Sequence, residues 1–195
     1  MKINEEIIKL AEKNNGILLT KQVTNAGYSR SALKILVDEG ILSQVQRGVY
    51  ITENGYIDDF FLLQQKFKTG IFSHETALYL LGFSDRSPMQ ITMTFEHGHS
   101  TPRIKKAGVK PIMVSTNFTT GQTLLNRNGS NIVVYEIERT LIDLLKPRYN
   151  ADYEQLIPAL KKYANFAKKD INKLFRYAKK FDVETQVRNY MEVLL

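Results

Sequence analysis

The sequence predicts an α+β protein, with a small N-terminal helix-and-hairpin module followed by a mixed α/β C-terminal domain that ends in a helical bundle. Three observations carry that reading. Residues 20–50, TKQVTNAGYSRSALKILVDEGILSQVQRGVY, hold two short capped helical patterns separated by Gly27, then an alternating segment broken at Arg47-Gly48. The stretches MQITMTFEHG, GVKPIMVST and NIVVYEI read as strands. From Tyr153 onward, apolar residues recur at helical spacing to the end of the chain.

Composition narrows the classes. The chain has 195 residues, 43% of them hydrophobic, enough for a real core. No run approaches the ~20 apolar residues of a membrane span. The opening MKINEEIIKLAEKNN mixes acids with lysines and lacks the layout of a signal peptide, so a cytoplasmic location is expected. The absence of Cys excludes disulfides, thiolate metal sites and a Cys nucleophile. A net charge of +7 favours an anionic partner such as nucleic acid.

The first helix is expected over Asn4–Asn14, with Asn4 as cap, Glu5 and Glu6 in the first turn, and Ile3, Ile7, Ile8, Leu10 and Ala11 on the apolar face. Thr20 caps a short helix, Lys21–Ala26. Gly27 supplies the left-handed backbone of a tight turn. Ser29 caps Arg30–Glu39, whose Leu33, Leu36 and Val37 share an inner face. Ile41–Gln46 and Val49–Thr52 then make a hairpin around Arg47-Gly48. Helices closed by a two-stranded hairpin outline a winged helix-turn-helix, in which the second of the paired helices enters the DNA major groove.

That face suits the role. Arg30, Ser31, Lys34 and Ile35 point outward, and Tyr28 and Ser29 sit beside the free N–H groups of the helix start. Arg30 can bridge guanine O6 and N7, a pairing typically worth ~1–3 kcal/mol of discrimination. Ser31 can bond a phosphate or a base edge, Lys34 is suited to phosphate, and Arg47 lies at the wing tip.

A helix over Tyr56–Phe67 is expected to link the module to the rest. The division is residues 1–53 for the winged helix-turn-helix, 54–69 for the connecting helix and 70–195 for the C-terminal domain. In the last, Ser73 caps a helix ended by Gly82, EIERTLIDLLK forms a helix stopped by Pro147, and helices follow over Tyr153–Ala164, Lys168–Phe181 and Val183–Leu194. Eight cations face one acid, Asp170, between residues 161 and 180: Lys161, Lys162, Lys168, Lys169, Lys173, Arg176, Lys179 and Lys180. They read either as solvated helix faces or as a second basic surface for nucleic acid or an acidic partner.

Catalytic signatures are not found. His97 and His99 share one side of an extended segment, but a catalytic zinc site needs a third ligand and none lies nearby in sequence. His74 and Glu75 are adjacent on a helix and cannot share a ligand face. Asp58-Asp59 mark a helix start, and Arg139 with Asp143, one turn apart, reads as a structural pair. There is no P-loop, dinucleotide fingerprint or nucleophile elbow. No catalytic residue, metal site or cofactor is therefore assigned.

Four segments, GYSRSALKILVDEGILSQVQRGVY, FSHETALYLLGFSD, ERTLIDLL and DVETQVRNYMEVLL, resemble, in that order, the AbiEi-type antitoxins of bacterial type IV toxin–antitoxin, or abortive-infection, systems. The resemblance implies a non-enzymatic antitoxin that represses its own operon by binding inverted repeats in double-stranded DNA. It also implies a C-terminal domain that counteracts a nucleotidyltransferase-fold toxin without a stable complex. Ser29, Arg30, Ser31 and Lys34 would then be recognition-helix contacts and Arg47 the wing contact, with Gln44 and Gln46 standing where the family often carries Arg. Two rivals remain: a winged-helix regulator with a ligand-sensing C-terminal domain, and a metal-dependent nuclease using Glu96, His97 and His99.

Overall fold

The computed structural model describes residues 2–194; the side chain of Ile3, expected on the first apolar face, lies outside the described residues. The chain forms two compact units, residues 1–68 with 125–132, and residues 69–124 with 133–195.

The first unit contains α1 (Lys2–Glu12), β1 (Ile17–Leu19), α2 (Thr20–Asn25), α3 (Arg30–Asp38), β2 (Leu42–Gln46), β3 (Val49–Thr52) and α4 (Asp59–Lys66). Asn4 lies inside α1 rather than capping it. The start of α2 also differs from expectation: Leu19 is the cap residue, and its N–H donates to the Gln22 side chain at 2.8 Å. The expected hairpin gains a third strand, in the order β1-β3-β2, with Ile17 opposite Ile51 and Leu19 opposite Val49. Ile7, Ala11, Leu18, Val23, Leu33, Leu36 and Leu42 form the core beneath it. Each large side chain there contributes roughly 1.5–3 kcal/mol by leaving water.

The fourth helix begins three residues later than its apolar pattern suggests. The reason is local: the Asp58 carboxylate accepts from the Phe60 N–H at 2.8 Å, which fixes the first turn. The same carboxylate pairs with Arg127 at 2.9 Å, while Asn15 donates to the Asn128 carbonyl at 2.8 Å. Residues 125–132 are thus held into this unit by two polar ties.

The second unit contains β4 (Ile71–Phe72), α5 (His74–Leu80), β5 (Ile91–Glu96), α6 (Thr101–Lys106), β6 (Val109–Val114), β7 (Gln122–Arg127), β8 (Ser130–Tyr135), α7 (Ile137–Leu145), α8 (Tyr153–Ala164), α9 (Ile171–Lys180) and α10 (Glu184–Leu194). The five strands run β6-β5-β4-β8-β7, with β4 antiparallel to β5 and parallel to β8. The far end of the β7–β8 hairpin is the segment counted in the first unit. The α9 start is set by Asp170, whose carboxylate accepts from the Lys173 N–H at 2.8 Å, so the helix opens after Lys168 and Lys169.

All nine residues of α7 are buried, including its charged ones. Arg139 Nε donates to Asp143 at 2.9 Å, and its Nη1 donates to the Asn117 and Thr120 carbonyls at 2.8 and 2.6 Å. The guanidinium lies 4.2 Å from the ring centres of both Tyr135 and Phe181. Lys146 donates to the other Asp143 oxygen at 2.7 Å. Burial lowers the Lys146 pKa from its ordinary value, while Asp143 pulls it back up. Nearby, His74 is buried with a positive φ of 55°. Its Nδ1 meets the Ser73 hydroxyl at 3.0 Å, so Ser73 occupies the cap position without capping through its side chain. Its Nε2 has no hydrogen-bond partner among the described residues.

Candidate nucleic-acid interface

The interface is built outward from the α3 start. The Ser29 hydroxyl accepts from the Ser31 N–H at 3.2 Å and meets the Ser31 hydroxyl at 2.6 Å. This cap fixes the helix entry. One face of α3 buries Ala32, Leu33 and Leu36; the other exposes Arg30, Ser31, Lys34 and Ile35, as the spacing predicts. Ile35 is 48% exposed, an apolar side chain left on a polar ridge. Tyr28 is differently placed: its hydroxyl donates to the Glu6 carboxylate at 2.6 Å, tying the turn before α3 to α1.

The wing is a two-residue turn. Gln46 pairs with Val49, and Gly48 takes φ 80°, which glycine adopts without strain. Arg47 is exposed at its tip. The register slips between Gln44 and Gln46, a bulge that leaves Val45 41% exposed. Gln44 is exposed on β2, whereas Gln46 donates its amide to the Leu62 carbonyl on α4 at 3.0 Å. Gln46 thus anchors the wing to the next helix. A second anchor runs from the Thr20 N–H to the Gly48 carbonyl at 3.0 Å.

Between these elements lies a cleft of about 290 Å³, lined by Thr20, Lys21, Thr24, Arg30, Arg47, Gln65 and Lys68 together with Leu19, Gly48 and Val49. The structure therefore brings Arg30 and Arg47 to one cleft, and adds Lys21 and Lys68, which sequence reasoning missed. No carboxylate lines it. Lys21, Arg30, Lys34, Arg47 and Lys68 form no ion pair among the described residues. Convergent cations without counterions repel one another, and an anion placed among them relieves that repulsion. Ser29, Ser31, Lys34 and Gln44 are exposed but do not line the cleft.

The C-terminal cations behave unevenly. Lys161, Lys162, Lys168, Arg176, Lys179 and Lys180 are exposed, and Lys169 is half-buried. Lys180 donates to the Thr120 hydroxyl at 3.0 Å. Lys173 is not a free cation. It donates to Glu136 at 2.9 Å and lies 3.5 Å from Glu138. Burial disfavours its charge, but the Glu136 bond and the Glu138 field outweigh that and raise its pKa. Among the described residues, no three His, Cys, Asp or Glu side chains gather to hold a metal ion. His99 instead meets the Thr69 hydroxyl at 3.3 Å and tilts against Phe95 at 5.6 Å.

Three helices, a three-stranded sheet with a tight wing, and exposed cations on the second paired helix define the class of the first unit: a winged helix-turn-helix. Residues 5–52 match the family described as transcriptional regulator, AbiEi antitoxin, which bears out the resemblance drawn from the sequence for this segment. Among solved structures, the chain is similar to the crystal structure of the RV2827C protein from Mycobacterium tuberculosis, with a TM-score of 0.56 and 16% identity over 98% of this chain and 81% of that one. That likeness shows a shared fold. No curated protein matches the chain. The family match supports an antitoxin or regulator role. No described helix is long and apolar enough to cross a membrane.

Proposed function

We propose that the protein is a cytoplasmic, non-enzymatic antitoxin of a bacterial type IV toxin–antitoxin system used in phage defence, and a DNA-binding autorepressor of its own operon. The observation that carries the reading is the cationic ridge on α3 and the wing: Arg30, Lys34 and Arg47 stand exposed with no acidic partner among the described residues. In this reading α3 enters the major groove of inverted repeats upstream of the operon. Arg30 reads guanine through its paired donors, Ser29 and Ser31 lie close to bases or backbone at the helix start, and Lys34 meets phosphate. Arg47 takes the flanking backbone or minor groove, with Gln44 beside it on the outer face of the wing. Tyr28 acts indirectly, by bracing the turn before α3 through its bond to Glu6.

The antitoxin half of the proposal is assigned to residues 70–195, which follow the winged helix and connecting helix. Their functional partner is a nucleotidyltransferase-fold toxin, counteracted without a stable complex. The exposed members of the Lys161–Lys180 set offer a second basic surface, from which Lys173 is withdrawn by its acids.

Two experiments test this. A nuclease footprint on the upstream DNA should show paired protected half-sites with the intact chain; uniform, sequence-independent protection would reject autorepression. Co-expression with the neighbouring toxin gene should restore growth with the full chain and fail with residues 1–69 alone. Growth restored by residues 1–69 would remove the assignment of neutralisation to the C-terminal unit.

A further inference from the structure

We infer that the cleft between α2, α3, the wing and α4 is a seat for one backbone phosphate of duplex DNA, held by Lys21 and Lys68 as well as by Arg30 and Arg47. The inference rests on the DNA-binding reading above and extends it to residues outside the recognition helix and wing. Lys68 and Gln65 also lie beyond residues 5–52, the segment matched by the family.

Four features on separate elements converge on this site. Lys21 comes from the first turn of α2, Arg30 from the start of α3, Arg47 from the wing tip, and Lys68 from the turn that follows α4. Thr20, Thr24 and Gln65 place neutral polar groups in the same lining. None of the four cations has an acidic partner among the described residues, so their mutual repulsion is left standing in the free protein. An ordinary solvated surface intersperses both signs; this lining carries one.

The cleft is also fixed in place. The Thr20 N–H bond to Gly48 ties the wing tip to the α2 start, and the Gln46 bond to Leu62 ties the β2 end to α4. Arg47, Lys21 and Lys68 are therefore presented by elements already locked together, which reduces the ordering cost of binding. A phosphate group fits easily in the space, which is about 290 Å³, open to solvent and shared by four long side chains. A phosphate seated there sets the angle and depth at which α3 meets the groove, because Arg30 belongs to both the seat and the ridge. Contacts of this kind fix register and carry affinity without sequence choice.

The test is a methylphosphonate scan of the footprinted upstream duplex, in which one backbone charge at a time is removed, read as binding by the full chain. One position per half-site should cost the wild type about tenfold in affinity, on the order of 1.4 kcal/mol. At that position Lys21→Gln and Lys68→Gln should lose less than twofold further, because the phosphate and the lysine act as a pair. Each variant should also lower the salt slope by roughly 1 on unmodified DNA. Lys66→Gln, two residues before Lys68 at the end of α4 but stacked over Phe67 outside the lining, should keep the full tenfold sensitivity. Additive losses at every position, with wild-type specificity intact, would overturn the seat alone. Displacement of the duplex by orthophosphate at constant ionic strength, seen for wild type but not for Lys68→Gln, would make the cleft a free-anion site and also overturn it. If the wild type does not distinguish its upstream duplex from a scrambled one, the underlying DNA-binding reading fails and takes the seat with it.

Discussion

Asp143→Asn is the most informative perturbation of the second unit. The carboxylate is 2% exposed and is the counterion of two buried cations, Arg139 at 2.9 Å and Lys146 at 2.7 Å. The amide keeps the shape but removes the charge, and one of its two polar atoms now faces a cation as a donor. Arg139 keeps its two carbonyl partners and its two aromatic faces, so most of the penalty falls on Lys146, which burial already discourages from holding its proton. Breaking a buried pair of this kind costs about 3–5 kcal/mol. Against a typical total of about 5–15 kcal/mol, that is a large fraction. Urea unfolding followed by far-UV circular dichroism should show the loss at pH 7. Part of it should return at higher pH, as Lys146 gives up its proton and the uncompensated charge disappears. The double variant Arg139→Met/Asp143→Leu should cost less than the sum of its single changes, since each single change already breaks the same Arg139–Asp143 pair, while Lys146 stays unpaired in the double variant as in Asp143→Asn. A change within about 0.5 kcal/mol for Asp143→Asn would refute the reasoning.

Two further outcomes are expected. His74 has its pKa pushed down by burial, against the raising pull of Asp143 and Glu75 and with Lys146 and Lys110 opposing its charge. Below the ordinary His range the unfolded chain takes a proton that the folded one refuses, so stability should fall with acidification by up to about 1.4 kcal/mol per pH unit. His74→Asn, which tolerates the positive φ, should flatten that dependence between pH 7.5 and 5.5; equal slopes for both proteins would count against it. Ser29→Ala should destabilise the first unit by about 0.5–2 kcal/mol through loss of the α3 cap, measured by chemical denaturation. An unchanged midpoint would show that the Ser31 N–H bond contributes nothing.

The helices were legible because their apolar residues recur every three and four positions. Leu33 and Leu36 sit under α3 as that spacing requires, and the α8 limits fall where the pattern begins and ends. Boundaries shifted where a carboxylate intervened: Asp58 and Asp170 each cap a helix later than its apolar pattern starts. The elements not seen were β1, β4, α6 and β7. The first two span 3 and 2 residues, too short for any period, and exist because distant strands pair with them: Ile17 with Ile51, Phe72 with Met93 and Val134. The sixth helix, TPRIKK, buries only Ile104. The seventh strand is a mostly exposed sheet edge with no buried alternation, although its Asn128-Gly129 turn, with φ values of 49° and 83°, was a readable hairpin signal. At the interface, Arg30, Lys34 and Arg47 followed from local pattern. Lys21 and Lys68 did not, because only the tertiary ties through Thr20 and Gln46 bring α2 and α4, with the turn after it, beside the wing.

The most direct measurement is the affinity of the wild type and of Arg30→Ala/Lys34→Ala for the upstream duplex and a scrambled duplex, across a salt series. The wild type should prefer its own sequence by about 10³-fold or more. The double variant should lose at least tenfold of that preference together with roughly one unit of salt slope, while its unfolding midpoint stays unchanged. Equal preference and equal slope in the two proteins would show that the exposed face of α3 does not read DNA.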